Sequence, residues 1–200
     1  MKFPTQEEEK KLWKKGYKYI AGVDEAGRGP IAGPIYAGAV IFKKGVKITG
    51  VNDSKKLDPE QRSYLYQKIT TQALAWAVAS INQKQIDKIG IQAANFKVME
   101  MAVNKLKVKP DFLLIDAHRL KTRPPSASIV KGDEKVFSIA AASILAKVSR
   151  DRYMVKKSRQ YPHYQFEVNK GYGTGHHLAA LRKHGPCFLH RFSFKPLQKT

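Results

Sequence analysis

Short apolar runs alternate along the chain with segments whose apolar residues have helical spacing. Apolar runs of four to nine residues between turn signals are typical of buried strands, and they occur here at 19–23, 35–42 and 73–81. A fourth run, at 112–115, ends directly at Asp116. The pattern therefore predicts four strands, one of which carries a carboxylate at its carboxyl end, where open α/β sheets usually bind ligands.

Helical signals lie between and after these strands. The sequence TQEE from Thr5 has the form of a capping box and predicts a short charged helix to about residue 15. Asp58 before Pro59 predicts a helix to about residue 69, and apolar spacing predicts another over 91–106 that faces the sheet. The longest predicted helix, 138–154, begins with the apolar run IAAASILA and is expected to be buried. This alternation predicts one α/β domain with a C-terminal helical extension.

The charge of the chain changes this picture of an ordinary globular protein. Its 37 Lys and Arg residues against 16 Asp and Glu residues give a formal net charge of +21, which favours a polyanionic partner, with nucleic acid first. The alternative is a surface that is simply rich in lysine. A single cysteine, Cys187, excludes a disulfide framework within the chain, and no run of about 18 to 20 apolar residues could cross a membrane. We therefore expect a cytoplasmic protein without a membrane partner, and nothing demands more than a monomer.

Two adjacent acids, Asp24 and Glu25, follow the first predicted strand. Adjacent side chains on a strand point to opposite faces, so both reach one site only if the strand ends there. The glycines at 27 and 29 favour such an ending. Carboxylates this close repel each other, which a cation would relieve, and oxygen ligands favour Mg²⁺ or Mn²⁺ over zinc. A solvated acidic turn is the alternative.

Asp116 and Asp133 are the other candidates for this metal site. Asp133 stands in the sequence KGD, just before the long buried helix, where from its position alone it is better explained as a helix cap. No phosphate-binding loop of the form GxxxxGK[ST] is present, and the glycines at 27, 29 and 33 lack dinucleotide-binding spacing, so no nucleotide cofactor is expected. The six histidines lack metal-ligand spacing and are interpreted as surface or structural residues.

Several motifs together resemble ribonuclease HII. They are VDEAGRGPIAGP at 23–34, DSKKL at 53–57, LLIDA at 113–117, KGD followed by SIAAASILAKVSRDRYM within 131–154, and GYGT and HRFSF near the end. The resemblance implies a ribonuclease H-like α/β fold with a central mixed sheet flanked by helices and a small C-terminal helical extension. It also implies a catalytic domain at 1–160 and a basic extension at 161–200 that completes the substrate site.

The same resemblance implies an endonuclease that cuts the RNA strand of RNA/DNA hybrids and cuts 5′ of ribonucleotides within duplex DNA, leaving 3′-hydroxyl and 5′-phosphate ends. Two Mg²⁺ or Mn²⁺ ions would be held by four acids: Asp24, Glu25, Asp116 and Asp133. The turn Gly27, Arg28, Gly29 would sense the ribose 2′-hydroxyl, and Tyr172 would stack on the sugar at the DNA side of an RNA-to-DNA junction. Seen alone, Arg28 could be a surface ion-pair partner and Tyr172 a half-buried aromatic residue.

Four basic residues are candidates for phosphate contacts or for balancing the acidic site, although each could equally be solvated: Lys55, Lys56, Lys147 and Arg150. Asp151 is assigned a supporting role outside the metal site. The amino-terminal helix and the basic end at 191–200 are interpreted as solvated faces that add nonspecific affinity. The chain departs from the family pattern at 134–136 and at 175–176, beside the site, which leaves cleavage expected but puts rate and metal preference in doubt. Two rival functions remain, a basic module that binds hybrids without cutting them and a transposase-like DNA nuclease of related fold.

Overall fold

The computed structural model of the chain describes residues 3–117, 123–195 and 197–198. Its strands are β1 (Ile20–Ala26), β2 (Ile35–Ile41), β3 (Ala75–Ile81), β4 (Phe112–Asp116) and β5 (Ser126–Ile129). Its helices are α1 (Glu7–Lys14), α2 (Pro59–Gln72), α3 (Gln83–Ile89), α4 (Ile91–Asn104), α5 (Gly132–Lys135), α6 (Phe137–Ser158), α7 (Phe166–Asn169) and α8 (Gly175–His184). Short 3₁₀ helices at Ser54–Lys56 and Pro162–Tyr164 complete the regular structure of these residues.

The five strands form one mixed sheet in the order β3-β2-β1-β4-β5. The three strands β1, β2 and β3 pair antiparallel, whereas β4 joins β1 in parallel and β5 joins β4 in parallel. The predicted α/β class, with a central mixed sheet and flanking helices, is confirmed. Because β1 lies at the centre, its carboxyl end is adjacent both to β2 and to the end of β4.

Each face of the sheet is covered by a helix layer. Ala21, Val23 and Ile115 belong to a core that includes residues of α4, so these strand positions face α4. Gly22 and Gly38 face the opposite way, where the backbone of α6 lies so close that a Cβ atom at either glycine would collide with it. The predicted burial of the alanine-rich start of α6 is confirmed, because its small side chains allow this close approach.

The amino-terminal helix differs from the prediction in two ways. The capping box at Thr5 is wrong, because α1 begins at Glu7 after Gln6 and has no side-chain cap. The interpretation of this helix as a solvated face is wrong for its inner side, because Leu12 packs in a small core with Ile139, and the buried Glu9 carboxylate accepts a hydrogen bond of 2.9 Å from the Ser138 backbone N–H. This carboxylate caps the first turn of α6 from another part of the chain.

The C-terminal segment packs against the loop that follows β1. Met154 of α6 lies in one buried cluster with Ala32, Phe166 and Leu189. Residue 196 and residues 199–200 of the predicted C-terminal extension lie outside the described residues. Among the helices of the described ranges, none has the length and apolar character that a membrane span requires.

Candidate active site

Three carboxylates converge where β1 and β4 separate. The last parallel pair joins Val23 with Ile115, so Asp24 and Asp116 are the next residue on each strand. The side chains of Asp24 and Asp116 point to the same face of the sheet as Gly22, the face that α6 covers. Asp133 lies in α5, just before that helix. One oxygen from each of the three aspartates lies within 4.8 Å of the others. This acidic triad of Asp24, Asp116 and Asp133 brings together three of the four acids that the resemblance assigned to a metal site.

Glu25 lies beside the triad and is not one of its members. The prediction that the strand ends before Asp24 is wrong, because β1 continues through Ala26 in its pairing with β2, and only the pairing with β4 stops at Val23. The Glu25 side chain therefore points to the opposite face of the sheet from Asp24. Its Oε1 lies 3.9 Å from the Arg28 guanidinium, and its Oε2 is buried with no hydrogen-bond partner among the described residues. A buried carboxylate oxygen without a partner would be satisfied by a bound cation.

The triad concentrates negative charge in a poorly solvated place. Burial, followed by the charges of Glu25, Asp116 and Asp133, raises the pKa of Asp24 well above its ordinary value. Burial is also the main cause of the raised pKa of Asp133, with the charge of Asp53 next, and of the raised pKa of Glu25. A divalent cation would remove this electrostatic cost, and an oxygen-only donor set suits Mg²⁺ or Mn²⁺. The residues thus fit a hard divalent metal.

The alternative that Asp133 caps the long helix is wrong. Helix α6 begins after Val136 without a side-chain cap on its own segment, and Glu9 supplies the acceptor at Ser138. Asp133 instead faces Asp24 and Asp116, and its Oδ2 lies 3.4 Å from Lys55 Nζ. Asp116 Oδ1 accepts a 2.7 Å hydrogen bond from the Gly132 N–H, which fixes the segment containing Asp133 relative to β4.

One cleft of about 460 Å³ joins the carboxylates to most of the other predicted residues. Its lining contains these predicted site residues: Asp24, Glu25, Gly27, Arg28, Gly29, Lys55, Asp116, Lys147 and Tyr172. Lys56, Asp133 and Arg150 are not in this lining. The Lys56 ammonium pairs with Glu134 at 3.2 Å, and Asp133 lies 3.4 Å from the Lys55 ammonium. The sequence motifs at the ends of β1 and β4, before α2, on α6 and before α8 thus open onto a single concave surface.

Lys147 and Tyr172 line this cleft and lie close to each other. Lys147 Nζ lies 2.8 Å from Asp151 and 5.8 Å from the centre of the Tyr172 ring. Burial lowers the pKa of Lys147, against the opposing effect of Asp151. The position of Asp151, paired with Lys147 and 4.0 Å from Arg62, agrees with its predicted place outside the metal site.

Two cleft-associated residues were missed by the sequence reasoning. Asp53 is buried, accepts the Lys55 N–H at 3.0 Å and so begins the 3₁₀ helix that carries Lys55. Arg62 of α2 lines the cleft and donates to the carbonyl oxygens of Ser54, at 3.0 Å, and Leu57. An aspartate two residues before Lys55 is a recognisable capping signal. The role of Arg62 depends on how α2 docks, which no local pattern reveals.

The prediction that Arg150 contacts a phosphate is not compatible with its position. Only 1% of the residue is exposed, and its guanidinium donates to the carbonyl oxygens of Ala32, Pro34 and Lys170 at 2.9 to 3.1 Å. Arg191, which the sequence reasoning placed in a solvated tail, is fully buried and donates to the carbonyls of Gly27, Arg28 and Gly33. Both arginines hold the loop after β1 by binding its backbone carbonyls.

Two of the six histidines form a buried pair, in agreement with a structural interpretation. His177 Nε2 lies 3.0 Å from His190 Nε2, and the pair packs against the Tyr164 ring. Burial lowers the pKa of His177, and burial together with the charge of His177 lowers the pKa of His190 from 6.5 to about 4. At neutral pH both imidazoles are therefore uncharged.

This histidine pair predicts a loss of stability in mild acid. The unfolded chain binds more protons than the folded chain between pH 6.5 and about 4, so the stability present above pH 6.5 is lost as the pH falls through this window. We expect the free energy of unfolding to fall by about 2 kcal/mol more in the wild type than in His190→Gln, which does not titrate. Urea denaturation of both proteins at pH 7 and pH 4.5 measures the difference. Equal losses would contradict the expectation, since the carboxylates titrate in both proteins.

Comparisons with known proteins show the family to which the chain belongs. A family model described as Ribonuclease HII matches residues 21–197. Ribonuclease HII of Caldicellulosiruptor bescii is 50% identical over 187 residues, which cover 93% of this chain and 91% of the relative, and that of Halalkalibacterium halodurans is 50% identical over 96% of this chain and 73% of the relative.

Solved structures of related proteins have the same fold. The crystal structure of ribonuclease H2 from Pyrococcus horikoshii OT3 superposes with a TM-score of 0.77 at 28% identity, over 90% of this chain and 96% of that chain. That of Bst-RNase HIII in complex with Mn²⁺ superposes with a TM-score of 0.68 at 19% identity, over 91% and 68% of the two chains, which shows a shared fold. The chain therefore belongs to the ribonuclease HII family and is an endoribonuclease of the ribonuclease H type.

Proposed function

We propose that the chain cuts the RNA strand of RNA/DNA hybrids and cuts 5′ of ribonucleotides embedded in duplex DNA, leaving 3′-hydroxyl and 5′-phosphate ends. One observation carries this proposal: Asp24 and Asp116 of the acidic triad line the same cleft as Gly27 to Gly29 and Tyr172. A metal site alone would serve many hydrolases. A ribose-sensing turn and a stacking tyrosine beside it suit a substrate in which RNA meets DNA.

Asp24, Asp116 and Asp133 would hold the metal, with Glu25 at its edge. Two Mg²⁺ or Mn²⁺ ions at such a site would activate a water as Lewis acids and would neutralise charge on the departing 3′ oxygen. The protein residues then bind and orient the substrate. No side-chain nucleophile is required, and Ser143 is unsuitable as one because its hydroxyl is buried in α6 and donates to the Ala140 carbonyl.

The proposed recognition role of each residue is based on its position in the cleft. Arg28 and Gly29 are exposed at its rim, where backbone groups of the turn can contact a ribose 2′-hydroxyl, the group that distinguishes RNA from DNA. Tyr172 is 43% exposed, so its ring can stack on a sugar. Lys55 and Lys147 supply positive charge at the cleft for the phosphates, and Lys56, the next residue along the chain, adds positive charge nearby.

The proposed division into a catalytic part, 1–160, and an extension, 161–200, follows from Tyr172. This residue lies in the extension, whereas the triad lies entirely in the first part. The extension would thus complete the substrate site rather than act separately. The net charge of +21 supports binding to a duplex backbone along the remaining surface.

Cleavage of end-labelled duplexes tests the proposal. One strand contains a single ribonucleotide, a run of ribonucleotides or none, and each duplex is incubated with Mg²⁺, with Mn²⁺ or with chelator. We expect metal-dependent cuts immediately 5′ of the single ribonucleotide and within the run, and no cut in the all-DNA duplex. Cutting of all-DNA duplex would favour a DNA nuclease, and binding without cutting would favour a hybrid-binding module.

A further inference from the structure

Residues 189–191 are attached to the loop that follows the Gly27–Gly29 turn. The Gly33 N–H donates to the Leu189 carbonyl at 2.8 Å, and the Arg191 N–H donates to the Ile31 carbonyl at 2.9 Å. Ala32 and His190 form an isolated antiparallel bridge between these hydrogen bonds. The backbone of this short segment is therefore fixed, and the side chains of His190 and Arg191 extend from it to two different parts of the cleft wall.

Arg191 holds the turn. Its Nη2 and Nη1 donate to the carbonyl oxygens of Gly27 at 2.7 Å and Arg28 at 3.0 Å, and its Nε donates to Gly33 at 2.8 Å. In a trans peptide the N–H points away from the carbonyl, so the N–H groups of Arg28 and Gly29 face away from Arg191. A planar guanidinium donates in several fixed directions at once, whereas the ammonium of a lysine is a single rotating group. This residue thus sets the direction of the peptide groups in the turn.

His190 holds Tyr172 through His177. The carbonyl oxygen of Tyr172 lies 2.8 Å from His177 Nδ1, and because a carbonyl only accepts, the hydrogen-bond pattern assigns the proton to that nitrogen. His177 Nε2 then accepts from His190 Nε2, at 3.0 Å. His190 Nδ1 is left without a proton and accepts the Cys187 N–H at 2.9 Å, with the Cys187 carbonyl farther away at 3.2 Å. All three hydrogen bonds are therefore donated in the same direction, from Cys187 through the two histidines to the Tyr172 carbonyl oxygen.

We propose that His190 and Arg191 are positioning residues that fix the Gly27–Gly29 turn and Tyr172 relative to each other, so that the site recognises a ribose and the sugar next to it as one unit. This inference rests on the proposed function, in which the turn senses the ribose and Tyr172 stacks on the neighbouring sugar. The cleft geometry agrees, since a Cβ atom at Gly29 would lie 3.9 Å from the Tyr172 ring. The two recognition elements are neighbours, although each is held by a different side chain.

The test for the histidine arm compares His177→Asn with His177→Gln. Asparagine places an N–H near the position of Nδ1 and keeps the bond to the Tyr172 carbonyl, whereas the glutamine amide lies near Nε2 and loses it. We expect His177→Gln to lower kcat/KM about tenfold on a duplex with one ribonucleotide but less than about threefold on a hybrid whose cleaved strand is all RNA. His177→Asn should stay within about threefold of the wild type on both substrates. His176→Gln, at the exposed neighbouring histidine, is the matched control.

The test for the arginine arm is Arg191→Lys. It should lower kcat/KM about tenfold on both substrates, because the turn contacts the ribose in each, while calorimetric Mg²⁺ affinity stays unchanged since the triad is untouched. If these residues had only a structural role, His177→Gln would lower thermal stability and would reduce cleavage of the two substrates by the same factor, as Arg191→Lys does. If His177→Gln does not fold, His190→Asn replaces it, since asparagine retains an acceptor for the Cys187 N–H but lacks the donor to His177.

The outcomes separate the two proposals. If the wild type cuts neither substrate, the proposed function fails. If the wild type cuts both, and His177→Gln changes both substrates by the same factor or Arg191→Lys changes neither, the proposed function stands and the positioning role is overturned. Selective loss at the single ribonucleotide in His177→Gln, together with an unselective loss in Arg191→Lys, supports it.

Discussion

Replacing Asp116 with asparagine is expected to lower kcat at least about 1000-fold without disrupting the fold, because metal-assisted stabilisation of the transition state contributes several kcal/mol. Asparagine has nearly the same shape, and its Oδ1 can still accept the 2.7 Å hydrogen bond from the Gly132 N–H. The substitution therefore removes a charge from the triad while keeping its geometry. Single-turnover cleavage of the duplex with one ribonucleotide, at saturating Mg²⁺, measures the loss.

Thermal denaturation provides the control for this result. The wild type should gain melting temperature on addition of Mg²⁺, since binding to the folded state stabilises it, and Asp116→Asn should gain much less. Without metal the variant should be at least as stable as the wild type, because one of three mutually repelling carboxylates has been neutralised. Asp58→Asn, at the exposed N-cap of α2, keeps its capping oxygen and should match the wild type in both assays. Normal cleavage by Asp116→Asn would show that the metal site lies elsewhere.

Gly22→Ala is expected to have the largest effect on stability, with a loss of about 3 kcal/mol or more in the free energy of unfolding. A Cβ atom at this position would lie 2.6 Å from the Ile139 backbone nitrogen and still closer to the Ser138 carbonyl group. Backbone atoms of a buried helix cannot move aside as a flexible side chain can. Helix α6 would have to shift away from β1, and urea denaturation monitored by circular dichroism measures the cost.

The matched control for this substitution is Gly175→Ala. Gly175 is the first residue of α8, it is exposed, and nothing lies within 4 Å of an added Cβ atom. Alanine has the higher helix propensity, so stability should stay the same or rise slightly. If Gly22→Ala were as stable as Gly175→Ala, the close contact between β1 and α6 would not exist in solution.

Local patterns predicted the elements that bury a clear apolar face. The strands β2 and β4 and the helices α2, α4 and α6 lie where hydrophobic spacing and the Asp58 N-cap placed them. The patterns failed for β5, whose sequence SASI alternates too weakly to stand out, and for α3, which is short and polar. They also failed at the end of β1, because the pairing of Glu25 with Ala37 across the sheet is not a local property.

The candidate site shows the same division. A carboxylate directly after an apolar strand is visible in the sequence, and the motif resemblance then named the remaining residues. The buried sites of Arg150 and Arg191 were not visible, because an arginine in a basic sequence is ordinarily expected at the surface. Six backbone carbonyls accept hydrogen bonds from these two side chains, and those carbonyls come together only when the loop at 27–34 has folded against α6 and the C-terminal segment.

The parallel pairing of β1 with β4 has a consequence for synthesis of the protein. It joins Ile20 to Phe112, and the third carboxylate follows only at Asp133, so the triad depends on contacts between distant parts of the chain. Such non-local contacts form late, after the entropy of closing a long loop has been overcome. During translation, the amino-terminal half emerges with Asp24 but without either partner carboxylate. A ribosome-bound fragment that ends before Asp133 therefore lacks the nuclease centre, and activity begins only once most of the polypeptide has been made.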